Sequence, residues 1–122
     1  MKKILIVEDD TTMQKLLTDK FTKSGFEVLS ALNGKEGLKM ALKEKPDMIL
    51  LDLVMPVMDG MTMLSKLRED KWGKNARVII LSNLSDAEKV SEAIQKGTYD
   101  YLVKVDWRLE DIVKKISKQL GV

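Results

Sequence analysis

Short apolar segments alternate with amphipathic segments along the chain, and this alternation restricts the possible fold more than any other feature of the sequence. Four apolar runs, rich in β-branched residues or leucine, occupy residues 4–7, 48–51, 78–81 and 101–103. Unbroken apolar runs of this length are typical of strands that are covered on both faces. We expect a further strand at residues 26–29, at an edge of the sheet.

The segments between these runs carry apolar residues at helical spacing and polar residues on the opposite face, which predicts four helices and a fifth after the last strand. The apolar faces of the five helices include, in chain order, Leu17, Ala41, Leu64, Ala93 and Ile116. Alternating strands and helices, joined by right-handed crossovers, give a parallel sheet with helices on both faces. The sequence therefore predicts a doubly wound α/β fold.

The composition excludes several kinds of chemistry. The 122 residues include no cysteine and no histidine, so chemistry must come from carboxylates, lysines, hydroxyls or backbone groups. The net charge of +2 is far below the basic excess that is typical of nucleic-acid-binding proteins. The first apolar run is too short for a signal peptide or a membrane span, so we expect a cytoplasmic protein.

Polar residues follow the apolar runs at the points where the predicted strands end. Glu8 and Asp9 follow the first run, Asp52 the second, Ser82 the third and Lys104 the fourth. In open parallel sheets, ligands bind beyond the carboxyl ends of the strands. Carboxylates that meet there repel one another unless a cation lies among them, and oxygen ligands favour Mg²⁺ or Mn²⁺.

Asp52 beside such a metal has the chemistry of a carboxylate nucleophile that accepts a phosphoryl group. Phosphoryl transfer needs in-line positioning and neutralisation of the charge on the equatorial oxygens. The metal would take one of these oxygens, Lys104 a second and Ser82 a third. Lys104 supplies a compact positive charge on a long stem, and Ser82 supplies a neutral hydrogen-bond donor.

Four motifs around these residues resemble the receiver domains of response regulators in two-component signalling, and in particular the chemotaxis-type single-domain receivers. The motifs are VEDD at 7–10, LLDLVMPVMDG at 50–60, LSN at 81–83 and YDYLVK at 99–104. The resemblance covers essentially the whole chain and depends on the joint order and spacing of the motifs. It implies a flavodoxin-like (βα)₅ fold with strand order 2-1-3-4-5, and one receiver domain over residues 1–122 with no effector domain.

The resemblance also implies roles for the acidic residues. Asp52 would accept phosphate from the phosphohistidine of a histidine kinase, which makes the chain a phosphoprotein of a phosphorelay. Asp9 would bind Mg²⁺ directly, together with Asp52 and the main-chain carbonyl of Val54, and Glu8 would act through water. The protein would catalyse its own phosphorylation and its own slow dephosphorylation, and would not turn over an external substrate.

Ser82 and Tyr101 match the switch pair of the family, in which the hydroxyl moves toward the phosphoryl group and the aromatic ring turns inward. The switched face would consist of the fourth helix, the fifth strand and the fifth helix of the prediction. The implied partners are a sensor histidine kinase or phosphotransfer protein and a downstream protein target at this face, with no nucleic acid and no membrane. We expect a monomer and leave dimerisation on phosphorylation open.

The residue after Lys104 departs from the family pattern, which usually has proline in a cis peptide at that place. Here it is Val105, and a cis bond before a residue other than proline costs about 2.5–4 kcal/mol. Either a trans bond with a remodelled loop or a strained exception is therefore expected. The departure supports an alternative function, a pseudo-receiver that binds proteins without productive phosphorylation, whereas the complete set of acidic, hydroxyl and lysine residues argues against it.

Two enzyme or carrier classes with related chemistry or sheet order fit less well. Phosphatases of the haloacid-dehalogenase type have a DxD pattern, and the residues from Asp52 to Val54 lack its second acid. Flavodoxin-like electron carriers have a phosphate-binding loop rich in Ser, Thr and Gly after strand 1, where this chain has carboxylates.

Some of the motif residues also have purely structural interpretations. Asp9 and Asp10 form an equally good cap for the first helix, since aspartate is favoured at helix starts. Asp59 and Gly60 are a turn signal that shapes a loop. Packing in the core and loops, rather than ligand binding, is expected of a cluster of methionines. These are Met55, Met58, Met61 and Met63.

From two apolar residues near the site, we predict slow loss of the phosphoryl group. These are Val54, two positions after Asp52, and Leu84, two positions after Ser82. Apolar side chains at these positions neither orient an attacking water nor donate a proton to it. The substitution Val54→Asn is therefore expected to speed the decay of the phosphorylated protein, followed as the fraction phosphorylated against time. An unchanged decay rate would count against this explanation.

Overall fold

The computed structural model describes residues 1–53, 55–82, 91, 95, 100–103 and 108–122, with the backbone alone at 82 and 100–103. Its five strands form one parallel sheet in the order β2-β1-β3-β4-β5, which confirms the predicted topology. The strands are β1 (Lys3–Val7), β2 (Glu27–Ala31), β3 (Met48–Asp52), β4 (Val78–Ser82) and β5 (Asp100–Val103).

The described residues form helices on both faces of this sheet. They are α1 (Thr11–Lys23), α2 (Gly34–Glu44), α3 (Gly60–Glu69) and the C-terminal α4 (Leu109–Leu120), with a short 3₁₀ helix at Gly73–Asn75. Ser91 and Gln95 are also helical and lie in the segment predicted as the fourth helix. Among the described residues, no helix is long and apolar enough to cross a membrane.

The sheet separates two apolar layers, and β1 shows how its sequence serves both of them. Ile4 and Ile6 point to the layer that contains residues of α1 and α4, whereas Leu5 and Val7 point to the layer that contains residues of α2 and α3. All four side chains are fully buried. The run is continuously apolar because successive side chains of a strand point to opposite faces, and both faces are covered here.

The second strand differs from its predicted boundaries of residues 26–29. It occupies Glu27–Ala31, because Phe26 belongs to the turn that closes α1 rather than to the sheet. The ring of Phe26 packs edge to face on Phe21, with ring centroids 5.5 Å apart, and its N–H donates to the Phe21 carbonyl. The predicted edge position of the strand is confirmed, since β2 pairs with β1 alone.

Asp59 and Gly60 do more than shape a loop, because they begin α3 directly behind the end of β3. The Asp59 carboxylate accepts a 2.8 Å hydrogen bond from the Thr62 N–H, as a helix cap does. The Gly60 N–H donates to the Leu53 carbonyl at 2.9 Å. A Cβ at Gly60 would overlap the carbonyl oxygen of Asp52, so only glycine allows this close approach.

The loop between β3 and α3 contains a residue with left-handed backbone geometry. Val57 has φ of 68°, and the Met58 N–H donates to the Pro56 carbonyl across it at 2.7 Å, which is the hydrogen bond of a tight γ-turn. The Met58 carbonyl then accepts a 2.9 Å hydrogen bond from the N–H of Gly34, the first residue of α2. This contact holds the strained turn against the neighbouring helix.

The four methionines around this loop are packed as predicted. Met55 and Met63 are buried, and Met58 and Met61 are partly buried against the same apolar layer, between the sheet and the helices α2 and α3. Their flexible side chains fill the irregular space where the loop meets the helices.

Relief of the strain at Val57 should stabilise the protein. Left-handed geometry in a residue other than glycine destabilises the folded state by about 1–3 kcal/mol. Glycine removes this strain, but its greater freedom in the unfolded chain offsets about 0.5–1 kcal/mol of the gain. The Val57 side chain is 77% exposed, so little packing is lost. We expect Val57→Gly to raise the free energy of unfolding by about 1 kcal/mol, measured by urea denaturation.

Val57→Ala is the matched control for this substitution. It removes the β-branch but keeps the Cβ that makes left-handed geometry unfavourable, and it is expected to recover only part of the gain. A Val57→Gly variant that is no more stable than Val57→Ala would show that the turn stores no strain.

Candidate functional site

Three carboxylates meet at the carboxyl ends of the central strands. Glu8 follows β1, and Asp52 is the last residue of β3, which pairs with β1 in the sheet. Oxygen atoms of Glu8, Asp9 and Asp52 all lie within 4.8 Å of one another. The structure therefore brings together the acidic residues that the sequence predicted to converge.

The burial of this cluster makes the ionised form of its carboxylates unfavourable. Glu8 is 1% exposed and Asp52 is 5% exposed, whereas Asp9 is open to solvent. Ionised carboxylates that share a buried site repel one another and lose hydration, and a cation between them offsets both costs. The donor set consists of oxygen atoms alone, with one accessible side, and it fits Mg²⁺.

The backbone of the acidic loop is fixed by hydrogen bonds on each side. The Glu8 N–H donates to the Ala31 carbonyl at 3.1 Å, and Glu8 Oε1 accepts from the Asp10 N–H at 3.3 Å. Asp10 is the cap of α1, because its Oδ1 accepts from the N–H groups of Thr12 and Met13. The capping interpretation thus applies to Asp10, and Asp9 belongs to the acidic cluster.

Gln14 lies next to this loop and was not singled out from the sequence. It is 6% exposed, and its Nε2 donates to backbone carbonyls at the ends of β1 and β2. The sequence did contain an indication of this role, because Gln14 has helical spacing to Leu17 and Phe21 and shares the buried face of α1 with them. A polar residue within an apolar stripe of a helix indicates a specific buried hydrogen bond.

The structure describes only part of the remaining predicted site. Ser82 ends β4 one residue beyond Leu81, the pairing partner of Asp52, so its backbone lies at the same edge of the sheet as the acidic cluster. Tyr101 lies in β5, where its backbone pairs with Ile80. Two further predicted site residues, Val54 and Lys104, lie outside the described residues, and so do the 104–105 peptide bond and most of the fourth predicted helix.

Comparison with known proteins decides the family. The sequence model of the response regulator receiver domain matches residues 4–117. The chain belongs to this family. It is thus a receiver domain of two-component signalling, and the acidic cluster of Glu8, Asp9 and Asp52 fits the site at which such domains hold Mg²⁺ and carry the phosphoaspartate.

Curated relatives of this receiver domain differ in overall length. The chain is 39% identical over 113 residues to a protein-glutamate methylesterase/protein-glutamine glutaminase of Archaeoglobus fulgidus, covering 90% of the chain but 32% of that protein. It is 35% identical over 120 residues to the chemotaxis protein CheY of Thermotoga maritima, covering 96% of the chain and 98% of that protein. The receiver is therefore similar both to one part of a longer protein and to the whole of a short one.

A solved structure supports the same family. The CheX-CheY-BeF3-Mg²⁺ complex from Borrelia burgdorferi contains a chain with 32% identity and a TM-score of 0.86, covering 98% of this receiver and 89% of that chain. Receiver domains interact with histidine kinases, phosphotransfer proteins and downstream targets.

Proposed function

We propose that this receiver accepts a phosphoryl group on Asp52 from the phosphohistidine of a histidine kinase or a phosphotransfer protein. The observation that carries the proposal is the convergence of buried Asp52 with Glu8 and Asp9 within 4.8 Å at the edge of the sheet. A carboxylate at the end of an apolar strand, beside two further carboxylates, has the right chemistry for a metal-assisted phosphoacceptor.

The transfer is a displacement at phosphorus. A carboxylate oxygen of Asp52 attacks the phosphorus atom, the new P–O bond forms as the P–N bond of the phosphohistidine breaks, and the electron pair of that bond returns to the imidazole nitrogen. Mg²⁺, or Mn²⁺ in its place, supplies positive charge to the carboxylates and the transferred oxygens when bound. Asp9 and Asp52 are the proposed direct ligands, Glu8 acts through water, and the Val54 carbonyl completes the set.

Lys104 and Ser82 are the proposed partners of the phosphoryl oxygens, Lys104 by charge and Ser82 by hydrogen bonding. Ser82 and Tyr101 together form the proposed switch. Phosphorylation adds about two negative charges beside Ser82, and this biases the packing of the Tyr101 ring. The coupling to partner binding would amount to about 1–3 kcal/mol.

The proposed output face consists of the fourth predicted helix, β5 and the C-terminal helix α4, and its occupant is a downstream protein. A structural relative that occurs in a complex with CheX supports a protein partner. We propose one receiver domain over residues 1–122 that works as a monomer and leave dimerisation on phosphorylation open. We place it in the cytoplasm, because its proposed phosphodonors are intracellular signalling proteins.

Intact mass spectrometry after incubation with Mg²⁺ and a small phosphodonor tests the proposed function. We expect a single phosphoryl adduct that hydroxylamine removes, since acyl phosphates react with this nucleophile. The adduct should be absent from Asp52→Asn, which keeps the shape of the side chain but has no carboxylate nucleophile. It should also be absent from the unmodified chain after removal of the metal by a chelator.

The same experiment distinguishes the alternative function. A chain that binds Mg²⁺ but forms no adduct with any donor is a pseudo-receiver. The substitution Val105→Pro would then be the first to test. An adduct of equal yield in Asp52→Asn would place the phosphoacceptor elsewhere.

A charge-matched pair of substitutions tests the metal ligands. Asp9→Asn and Asp10→Asn each remove one negative charge from the same loop, but Asp9 belongs to the acidic cluster and Asp10 caps α1. We expect Asp9→Asn to weaken Mg²⁺ binding at least about 10-fold in calorimetric titrations. Asp10→Asn keeps a favourable capping residue and should change the affinity far less. Equal losses in both variants would mean that Asp9 contributes only general charge.

A further inference from the structure

The buried amide of Gln14 connects three parts of the fold beside the acidic cluster. Its Nε2 lies 2.9 Å from the carbonyl oxygen of Ile6, 3.0 Å from that of Ala31 and 3.4 Å from that of Glu8. Ile6 belongs to β1, Ala31 ends β2, and Gln14 itself is part of α1. One side chain thus attaches the ends of two strands to the first helix.

The surroundings fix the orientation of this amide. Nε2 faces three carbonyl oxygens, which only accept hydrogen bonds, so the NH₂ group must point toward them. Its two hydrogens make the two shorter bonds, to Ile6 and Ala31, and the Glu8 carbonyl can only share one of them. At the other end, Oε1 of Gln14 accepts a 3.1 Å hydrogen bond from the Thr18 hydroxyl, one helical turn further along α1. Both ends of the amide are satisfied in a buried position, where an unsatisfied polar group is costly.

The amide lies where the pairing of β1 with β2 ends. The Glu8 N–H donates to the Ala31 carbonyl, and β2 stops at Ala31. The Glu8 carbonyl then accepts from Gln14 Nε2. The Glu8 N–H is therefore held by the Ala31 carbonyl, which Gln14 also binds, and the Glu8 carbonyl makes the longest of the three contacts with the Gln14 amide.

The position of the backbone at Glu8 sets the points from which two of the three carboxylates in the cluster extend. Glu8 and Asp9 are both part of this short loop. Asp52 is instead the last residue of β3, and the sheet holds its backbone. The loop then joins α1 at Asp10, whose carboxylate caps the helix. The acidic loop is thus attached to the same helix twice, through Gln14 and through Asp10.

We propose that Gln14 is a positioning residue for metal binding, because its amide hydrogens hold the ends of β1 and β2, between which Glu8 is bound, so that the Glu8 and Asp9 carboxylates converge on Asp52. The inference rests on the proposed function, since it takes the acidic cluster as the Mg²⁺ site. Gln14 is not one of the three carboxylate residues of the cluster and would act through the position of the loop. Removal of groups that orient metal ligands weakens metal affinity about 10–100-fold.

Calorimetric Mg²⁺ titration at fixed ionic strength tests this role. Gln14→Met keeps the length and approximate volume of the side chain but removes both amide hydrogens, and we expect Mg²⁺ binding to weaken about 10-fold. Gln14→Asn keeps the amide but is one methylene shorter, so it should also bind Mg²⁺ more weakly. Thr18→Val is the matched control, because it removes the hydrogen bond to Oε1 while the carbonyl oxygens around Nε2 still orient the NH₂ group. Its Mg²⁺ affinity should fall far less than that of Gln14→Met.

A second control separates stability from metal affinity. Phe21→Leu, on the same buried face of α1, should lower the free energy of unfolding and leave Mg²⁺ affinity unchanged. Unchanged affinity in Gln14→Met and Gln14→Asn, with normal binding by the unmodified chain, would overturn the positioning role and leave the proposed function intact. Absence of Mg²⁺ binding by the unmodified chain would overturn both.

A Gln14 variant that fails to fold does not leave the test undecided. If Gln14→Met does not fold, the comparison of Gln14→Asn with the unmodified chain decides the outcome, with weaker binding as support and equal binding as refutation. If neither Gln14 variant folds while Phe21→Leu does, the role of Gln14 is structural and the positioning role is overturned.

Discussion

Two carboxylates that are buried at the ends of adjacent central strands are the constraint on which the rest of this receiver depends. Glu8 and Asp52 are almost inaccessible to solvent, and they lie where β1 and β3 run side by side. Such charges are tolerated only when hydrogen bonds, a cation or both offset the lost hydration. The fold supplies a rigid support for this costly arrangement, because both strands are covered by apolar layers on their two faces.

The two apolar layers serve different parts of the site. On the side of α1 and α4, Gln14 binds the ends of β1 and β2, and the Asp10 cap ends the loop that carries Glu8 and Asp9. On the side of α2 and α3, Gly60 allows α3 to begin directly against the carbonyl of Asp52. Each layer thus controls one of the two chain segments that supply the acidic cluster, and the sheet sets the distance between them.

The sequence predicted the sheet and the acidic cluster for a simple physical reason. The short, β-branched apolar run of β1 is typical of a strand covered on both faces, and in parallel strands the residues that follow all lie at one edge. Glu8 and Asp52 therefore lie close together at the edge where the sequence pattern predicted them. The methionines were predicted for a similar reason, since their size and flexibility suit packing wherever the loop lies.

Other features depend on contacts that a linear pattern does not contain. Phe26 was predicted to be in a strand, but its contact with Phe21 places it in the turn after α1. Gln14 was missed because its three carbonyl partners come from separate segments that only the folded chain brings together. Asp59 was predicted to be in a turn because the same residue types favour turns and helix caps.

The hydrogen bond from Gly34 to the Met58 carbonyl gives the loop behind Asp52 a natural spectroscopic reporter. An amide proton is sensitive to the length and angle of the bond that it donates, and this one belongs to α2, outside the acidic cluster. A rearrangement that moves the Met58 carbonyl changes the resonance of the Gly34 amide even if α2 itself stays in place. The chain thus carries, without any label, a distinct signal for the state of the segment that follows its central aspartate.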